Sequence, residues 1–183
     1  KLDGTLEDYA FVAAGLFELG EATFDARYWD AAAALIGAVR ARFYEPTDGG
    51  VFYLTAVDDP EPLIHRPESH HDGAMPSGAA VAVEGLIRLG YVRADAEALA
   101  IAERYLERRL VSGALGPLGA ARLLGALDLF LHAQCVVVTD GAGADELRAA
   151  ARAAYAPTRL LVGPWAAAAV LADKPAAARA RAY

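Results

Sequence analysis

The chain has 183 residues, enough for one domain that buries roughly 70% of its unfolded surface. Hydrophobic residues make up 56%, above the usual ~45–50%, and much of the excess is alanine, which favours helix and close helix packing. The formal net charge is −7 with no basic block, which excludes nucleic acid and anionic membrane surfaces as partners, and no apolar run approaches the ~20 residues that span a bilayer.

The first predicted helix runs from Leu6 to Leu19, with apolar residues at helical spacing through Leu6, Tyr9, Ala13, Leu16 and Phe17. Thr5 is its expected N-cap, Asp8 closes a capping box, and Gly20 is the expected stop. A second helix spans Ala26 to Tyr44 behind Asp25 as N-cap. Residues 45–75 then hold Pro46, Gly49, Gly50, Pro60, Pro62 and Pro67, and only the segment 49–57 reads as a strand, one arm of a small hairpin. A third helix is expected from Ser77 to Leu89, ended by Gly90, and a fourth from Asp95 to Leu110. A fifth covers Leu115 to His132, weakened by its glycines. The end of the chain reads as a strand at 135–141, a helix from Ala144 to Tyr155 and a strand at 159–162, a compact β-α-β unit. Residues 166–183 form an alanine-rich tail beyond a domain at 1–165.

An internal repeat organises these elements. GLFELG at 15–20 matches GLIRLG at 85–90, and the same offset of 70 carries Asp25 onto Asp95. Helix, tight turn and capped helix thus occur twice in one register. Each unit is a helical hairpin, and the simplest architecture stacks hairpins side by side as a solenoid or a toroid. Alanines on the first helix of each pair suit a tightly packed inner row.

The most informative stretch for chemistry is residues 65–78, HRPESHHDGAMPSG, which holds three of the four histidines. It ends a connection of about thirty residues, longer than the ~12–15 at which loops in compact domains are usually functional or disordered. Its end meets a helix N-terminus, where backbone N–H groups bind anions or hydroxyls. His70 and His71 are candidate general bases, with Asp72 as the group that orients the imidazole or acts as acid. The plainer alternatives are a turn at Asp72-Gly73 and a helix cap at Ser77. The His-His-Asp spacing lacks the i, i+4 pattern of helical metal ligands, so no metal is expected.

Glu7 is a second candidate acid. Asp8 and Tyr9 beside it are suited to sugar hydroxyls, although capping accounts for Asp8, and Glu7 also reads as a solvated first-turn acid. Tyr53 belongs to a group of aromatics in the first 53 residues that would stack on sugar rings or fill the core. The catalytic set is therefore His71, Asp72 and Glu7, and the ligand-binding set is Asp8, Tyr9, Tyr53, His70 and Ser77. Cys135, the only cysteine, gives no disulfide or CxxC motif and reads as an inert core thiol. A reducing, cytoplasmic setting is expected, and no cofactor is implied.

LEDYAF (6–11), DGGVFYLT (48–55), DGAMPSGAAVAV (72–83) and VVVTDG (136–141) fall in an order that resembles one family, the thioredoxin-domain-containing proteins that include bacterial YyaL and spermatogenesis-associated protein 20. The resemblance covers roughly residues 2–163. It implies that the hairpins are the C-terminal part of an (α/α) toroid like that of six-hairpin glycosidases and N-acylglucosamine 2-epimerases. It also implies an N-terminal thioredoxin-like domain and opening hairpins absent from this chain, which begins at Lys1. Where the family usually reads PSGNS, this chain has Ala79 and Ala80, so the amide side chain is lost. The resemblance implies a cavity and a carbohydrate ligand, with epimerase- or glycosidase-like chemistry, but no settled reaction. The alternative is a non-catalytic scaffold that holds a thioredoxin-like domain or a client. A partial ring leaves faces uncovered, through which a homodimer is expected.

Overall fold

The computed structural model describes residues 4–60, 64–111 and 116–171. Helix α1 spans Leu6–Thr23 and α2 spans Ala26–Arg42. Strands β1 (Tyr44–Glu45) and β2 (Val51–Phe52) pair antiparallel. Then come α3 (Gly78–Arg93), α4 (Ala96–Val111) and α5 (Ala121–His132), the last entered through a 3₁₀ turn at Pro117–Ala120. Strand β3 (Gln134–Val137), helix α6 (Ala144–Ala153) and strand β4 (Arg159–Val162) follow, and α7 (Ala167–Val170) closes the described chain. The fold is mainly helical, as the composition and repeat imply. Residues 172–183 of the expected alanine-rich tail lie outside the described residues.

The caps act as the sequence implies. Thr5 and Asp8 form the capping box of α1. Asp25 accepts from the Arg27 N–H at 2.9 Å, and Asp95 accepts from the Ala98 N–H at 2.9 Å. The two expected glycine stops are different. Gly20 and Gly90 sit inside their helices, which continue to Thr23 and Arg93. A methyl group on Gly20 would overlap the Trp29 ring, and one on Gly90 would overlap Leu99. Trp29 and Leu99 are themselves 70 positions apart. Each glycine therefore admits a side chain from the return helix of its own hairpin. The true turns are made by Phe24 and Ala94, both in the left-handed region, with φ 59° and 55°. The partner of β2 is Tyr44–Glu45, of which the helical pattern places Tyr44 in the second helix and Glu45 in the connection after it.

Helices α1, α3 and α5 form an inner row, with α3 packed against α1 on one side and α5 on the other. They run parallel. Glu7 touches Gly78 at one end of the α1–α3 pair, while Arg88 reaches Glu18 and Glu21 towards the other. Arg122, early in α5, pairs with Glu84, and the Tyr91 hydroxyl donates to the Phe130 carbonyl at 2.5 Å further along. Helix α2 packs on α1 and α3, and α4 packs on α3 and α5, as an outer row. Nearly every residue of α3 is buried, including its alanines from Ala79 to Ala82. Small residues let the neighbouring helices approach it from several sides. Gly85 is one such site, where any side chain would meet Ile36 and Phe17.

The core is continuous across these helices, with Phe17, Trp29, Phe43, Phe52 and Tyr105 among its largest buried side chains. The Phe17 and Trp29 rings meet edge-on at 4.9 Å. The late β-α-β unit is present: β3 and β4 pair parallel with α6 as crossover. It packs at the C-terminal end of α1, where Phe24 joins Val138 and Leu161 in a small cluster.

Candidate functional site

The N-termini of α1, α3 and α5 lie at one end of the inner row, and residues 64–77 cross them. The crossing segment is tied down at each step. Tyr53 and Glu68 form an isolated antiparallel bridge, and the Leu54 N–H donates to the Pro67 carbonyl at 2.8 Å. The Arg66 guanidinium stacks 4.3 Å above the Tyr53 ring and donates to the Thr55 carbonyl at 2.6 Å. The Glu68 carboxylate pairs with Arg109 of α4, and His70 Nδ1 lies 3.6 Å from its Oε2.

Ser69 links two helix starts. Its hydroxyl accepts from the Gly78 N–H at 3.0 Å and donates to Glu7 Oε1 at 3.1 Å. His71 stacks on Gly119, where any side chain would overlap its ring. Asp72 joins two more. Its Oδ1 accepts from the Ser77 N–H and its Oδ2 from the Arg122 N–H, both at 2.7 Å, and its own N–H donates to the Gly119 carbonyl at 2.9 Å. A carboxylate between two helix N-termini is favourable both by hydrogen bonding and by the helix dipoles. Ser77, which is buried, caps α3 by accepting from the Ala80 N–H at 3.2 Å.

Five of the eight residues chosen from sequence thus lie on or against this segment: Glu7, His70, His71, Asp72 and Ser77. Tyr53 flanks it and lines a polar groove of about 540 Å³ with Glu45, Thr47, His65 and Arg66. Asp8 and Tyr9 turn elsewhere. Asp8 is held by Thr5, and the Tyr9 hydroxyl accepts from Arg42 at 2.8 Å while its ring lies 5.3 Å from that of Phe43. Glu68, Ser69, Arg109 and Arg122 were missed. Glu68 and Ser69 lay inside the histidine stretch and were open to reading; the two arginines come from distant helices with no local signal.

From Arg122 a line of charges runs the length of the inner row. Glu84 bridges Arg122 and Arg88, and Arg88 reaches Glu18 at 2.8 Å and Glu21 at 2.5 Å. Glu21 also accepts from the Leu161 N–H at 3.1 Å, which ties the line to β4. Burial pushes the Glu21 carboxyl up, against the opposing pull of Arg88 and the Leu161 amide. Burial likewise pushes the Cys135 thiol up to about 11, far from the reactive thiolate range. Among the described residues, no helix is long and apolar enough to cross a membrane.

The class these features define is a mainly helical protein of stacked hairpins with a polar, tethered segment at one end of its inner row. No family model matches the sequence. Mouse spermatogenesis-associated protein 20 is 37% identical over 86 residues, which are 47% of this chain and 11% of the relative. The human protein is 34% identical and the rat protein 33% identical over the same length. Over these 86 residues the chain is similar to spermatogenesis-associated protein 20. Its matched stretch spans only 11% of the curated relatives' own length.

Proposed function

We propose that the N-terminal end of the inner row is a carbohydrate-binding surface, with Glu7, His70 and His71 facing sugar hydroxyls and Tyr53 in the adjoining polar groove. The observation that carries this reading is the tethering of residues 64–77 across three helix N-termini, because binding sites work when their polar groups are fixed before the ligand arrives. Asp72 and Ser77 serve here as positioning residues, since their side-chain oxygens are engaged by backbone amides. The imidazole–carboxylate pair suited to proton transfer is His70 with Glu68, in an epimerase- or glycosidase-like step. A cytoplasmic setting accords with the single, half-buried cysteine.

The test is a thermal-shift screen of monosaccharides and oligosaccharides at millimolar concentration. A ligand at 100 times its Kd adds about 2.7 kcal/mol of stability. Stabilisation by one sugar class, lost in His70→Gln with an unchanged unliganded melting temperature, supports the reading. No shift with any sugar overturns it.

A second reading is a non-catalytic scaffold for a partner such as the thioredoxin-like domain that the family resemblance implies, or for a second copy of this chain. It is favoured by apolar residues on α4 and α5 that remain exposed, such as Val111 at 85% and Leu131 at 60%. Under it, Glu68→Gln and His70→Gln change stability and bind no sugar differently.

A further inference from the structure

Helices α4 and α5 enclose an apolar groove of about 330 Å³. Its floor is Leu106 and Leu110 from α4 and Leu127 and Phe130 from α5, and Val111 and Leu131 stand at its edges. The charged residues that line it are Glu103 and Glu107, both exposed acids on α4. A small ligand is a poor match, because ligand pockets combine apolar walls with a few convergent polar groups that fix orientation. The groove follows two helices, and only rim carboxylates accompany its apolar floor.

The row pattern identifies the shape that fits. Helix α4 lies over α3, and Arg40 of α2 pairs with Asp95 and Glu97 at the start of α4, beside a groove of about 320 Å³ between the two outer helices. Moving one hairpin along, the equivalent place lies over α5 and beside α4, which is this groove. Among the described residues no helix fills it: the chain after α5 turns away into β3, and α6 packs against Phe24, Val138 and Leu161 instead. The polarity of the pairing is also reversed. Where α2 offers the basic Arg40 to acids on the next outer helix, α4 offers Glu103 and Glu107, which call for cations.

We infer that the α4–α5 groove docks an amphipathic helix of a partner protein, with an apolar face at i, i+3, i+4 and i+7 and Lys or Arg opposite Glu103 and Glu107. The helix takes the position of a third outer helix, antiparallel to α5. Burying its apolar face supplies the affinity, and the rim acids select its charge.

The test uses the full chain and two fluorescent synthetic helices of roughly 18 residues, long enough to populate helix. They share a leucine face and differ in flanks, lysine in one and glutamate in the other. Fluorescence anisotropy is expected to show the lysine peptide binding at least about 10-fold more tightly than the glutamate peptide. Leu131→Asp and Val111→Asp are exposed substitutions that keep the helical circular dichroism, and each is expected to abolish binding. The double variant Glu103→Lys, Glu107→Lys is expected to reverse the preference. Equal affinity for both peptides, no binding of either below about 1 mM, or unchanged binding by the aspartate variants each overturns the inference. Sedimentation showing self-association that Leu131→Asp removes gives the groove to a second copy and overturns it as well.

Discussion

Phe24 and Ala94, 70 positions apart, hold the same left-handed backbone conformation at the turn of successive hairpins, and each is followed at once by an aspartate cap. They are the only non-glycine residues with positive φ among those described. The repeat seen as matching letters is thus a repeat of geometry. It extends to Gly20 beneath Trp29 and Gly90 beneath Leu99.

The left-handed turn makes Ala94 a site for stabilisation. An L-residue in this region costs ~1–2 kcal/mol, and glycine gives back ~0.4–1 kcal/mol through unfolded-state entropy. Ala94 is exposed, so no packing is lost. Ala94→Gly is expected to raise unfolding free energy by about 0.5–1 kcal/mol in urea titration, with an unchanged m-value. Phe24→Gly should do the opposite, because the Phe24 ring packs with Val138 and Leu161.

Gly20→Ala should destabilise. The added methyl group meets the rigid, fully buried Trp29 ring, and overpacking of this kind costs ~1–3 kcal/mol. Gly90→Ala should cost less, since Leu99 is flexible and only half-buried. Thermal melts of the two variants side by side give the order, and a larger loss at Gly90 would contradict the hairpin packing described.

Asp72→Ala removes the acceptor for two helix-start amides at once. Hydrogen bonds to charged groups contribute ~1.5–3 kcal/mol each, and partial exposure here brings the expected total to about 2–3 kcal/mol. Asp72→Asn keeps an oxygen for one amide and should lose about half as much. Hydrogen exchange gives a sharper readout: the amides of Ser77 and Arg122 should lose protection in both variants before the core does.

Glu21 sets a pH dependence. Its carboxyl is raised in the folded state, chiefly by burial, above an unfolded value near 4.5. The folded protein therefore binds this proton more tightly than the unfolded chain. Its contribution to stability is fully present below the unfolded value and is lost as pH rises through the folded one. Glu21→Gln, which cannot ionise, should remove that decline. Denaturation midpoints of wild type and variant across pH 4–8 should converge in acid and separate as pH rises, with the variant the more stable.

The hairpins and their caps were legible because each depends on residues within a few positions: Thr5 with Asp8, Asp25 with Arg27, Ser77 with Ala80. The glycines were misread because a helix stop and a close-packing site both require a missing Cβ, and only the position of Trp29 or Leu99 in space separates them. The strand at Tyr44–Glu45 was hidden because Tyr44 continues the apolar period of the preceding helix. For the candidate site, the histidine stretch was visible as an odd cluster on a long loop. Its support was not: Arg109 and Arg122 meet Glu68 and Asp72 across 41 and 50 residues. Asp72-Gly73 carried the letters of a turn, and nothing local says that the carboxylate spans two helices.

Helix α3 has no face of its own to give to water. Apart from Glu84 and Arg88, whose charges are paired within the inner row, it presents apolar or small residues to α1, α2, α4 and α5 alike, so its solubility is lent by its neighbours. The smallest autonomous folding unit therefore contains both hairpins and α5 together. Cutting the chain between the hairpins, near residue 60, should leave one half that aggregates on expression and another that is at best partly helical, and mixing the two halves should recover the soluble fold.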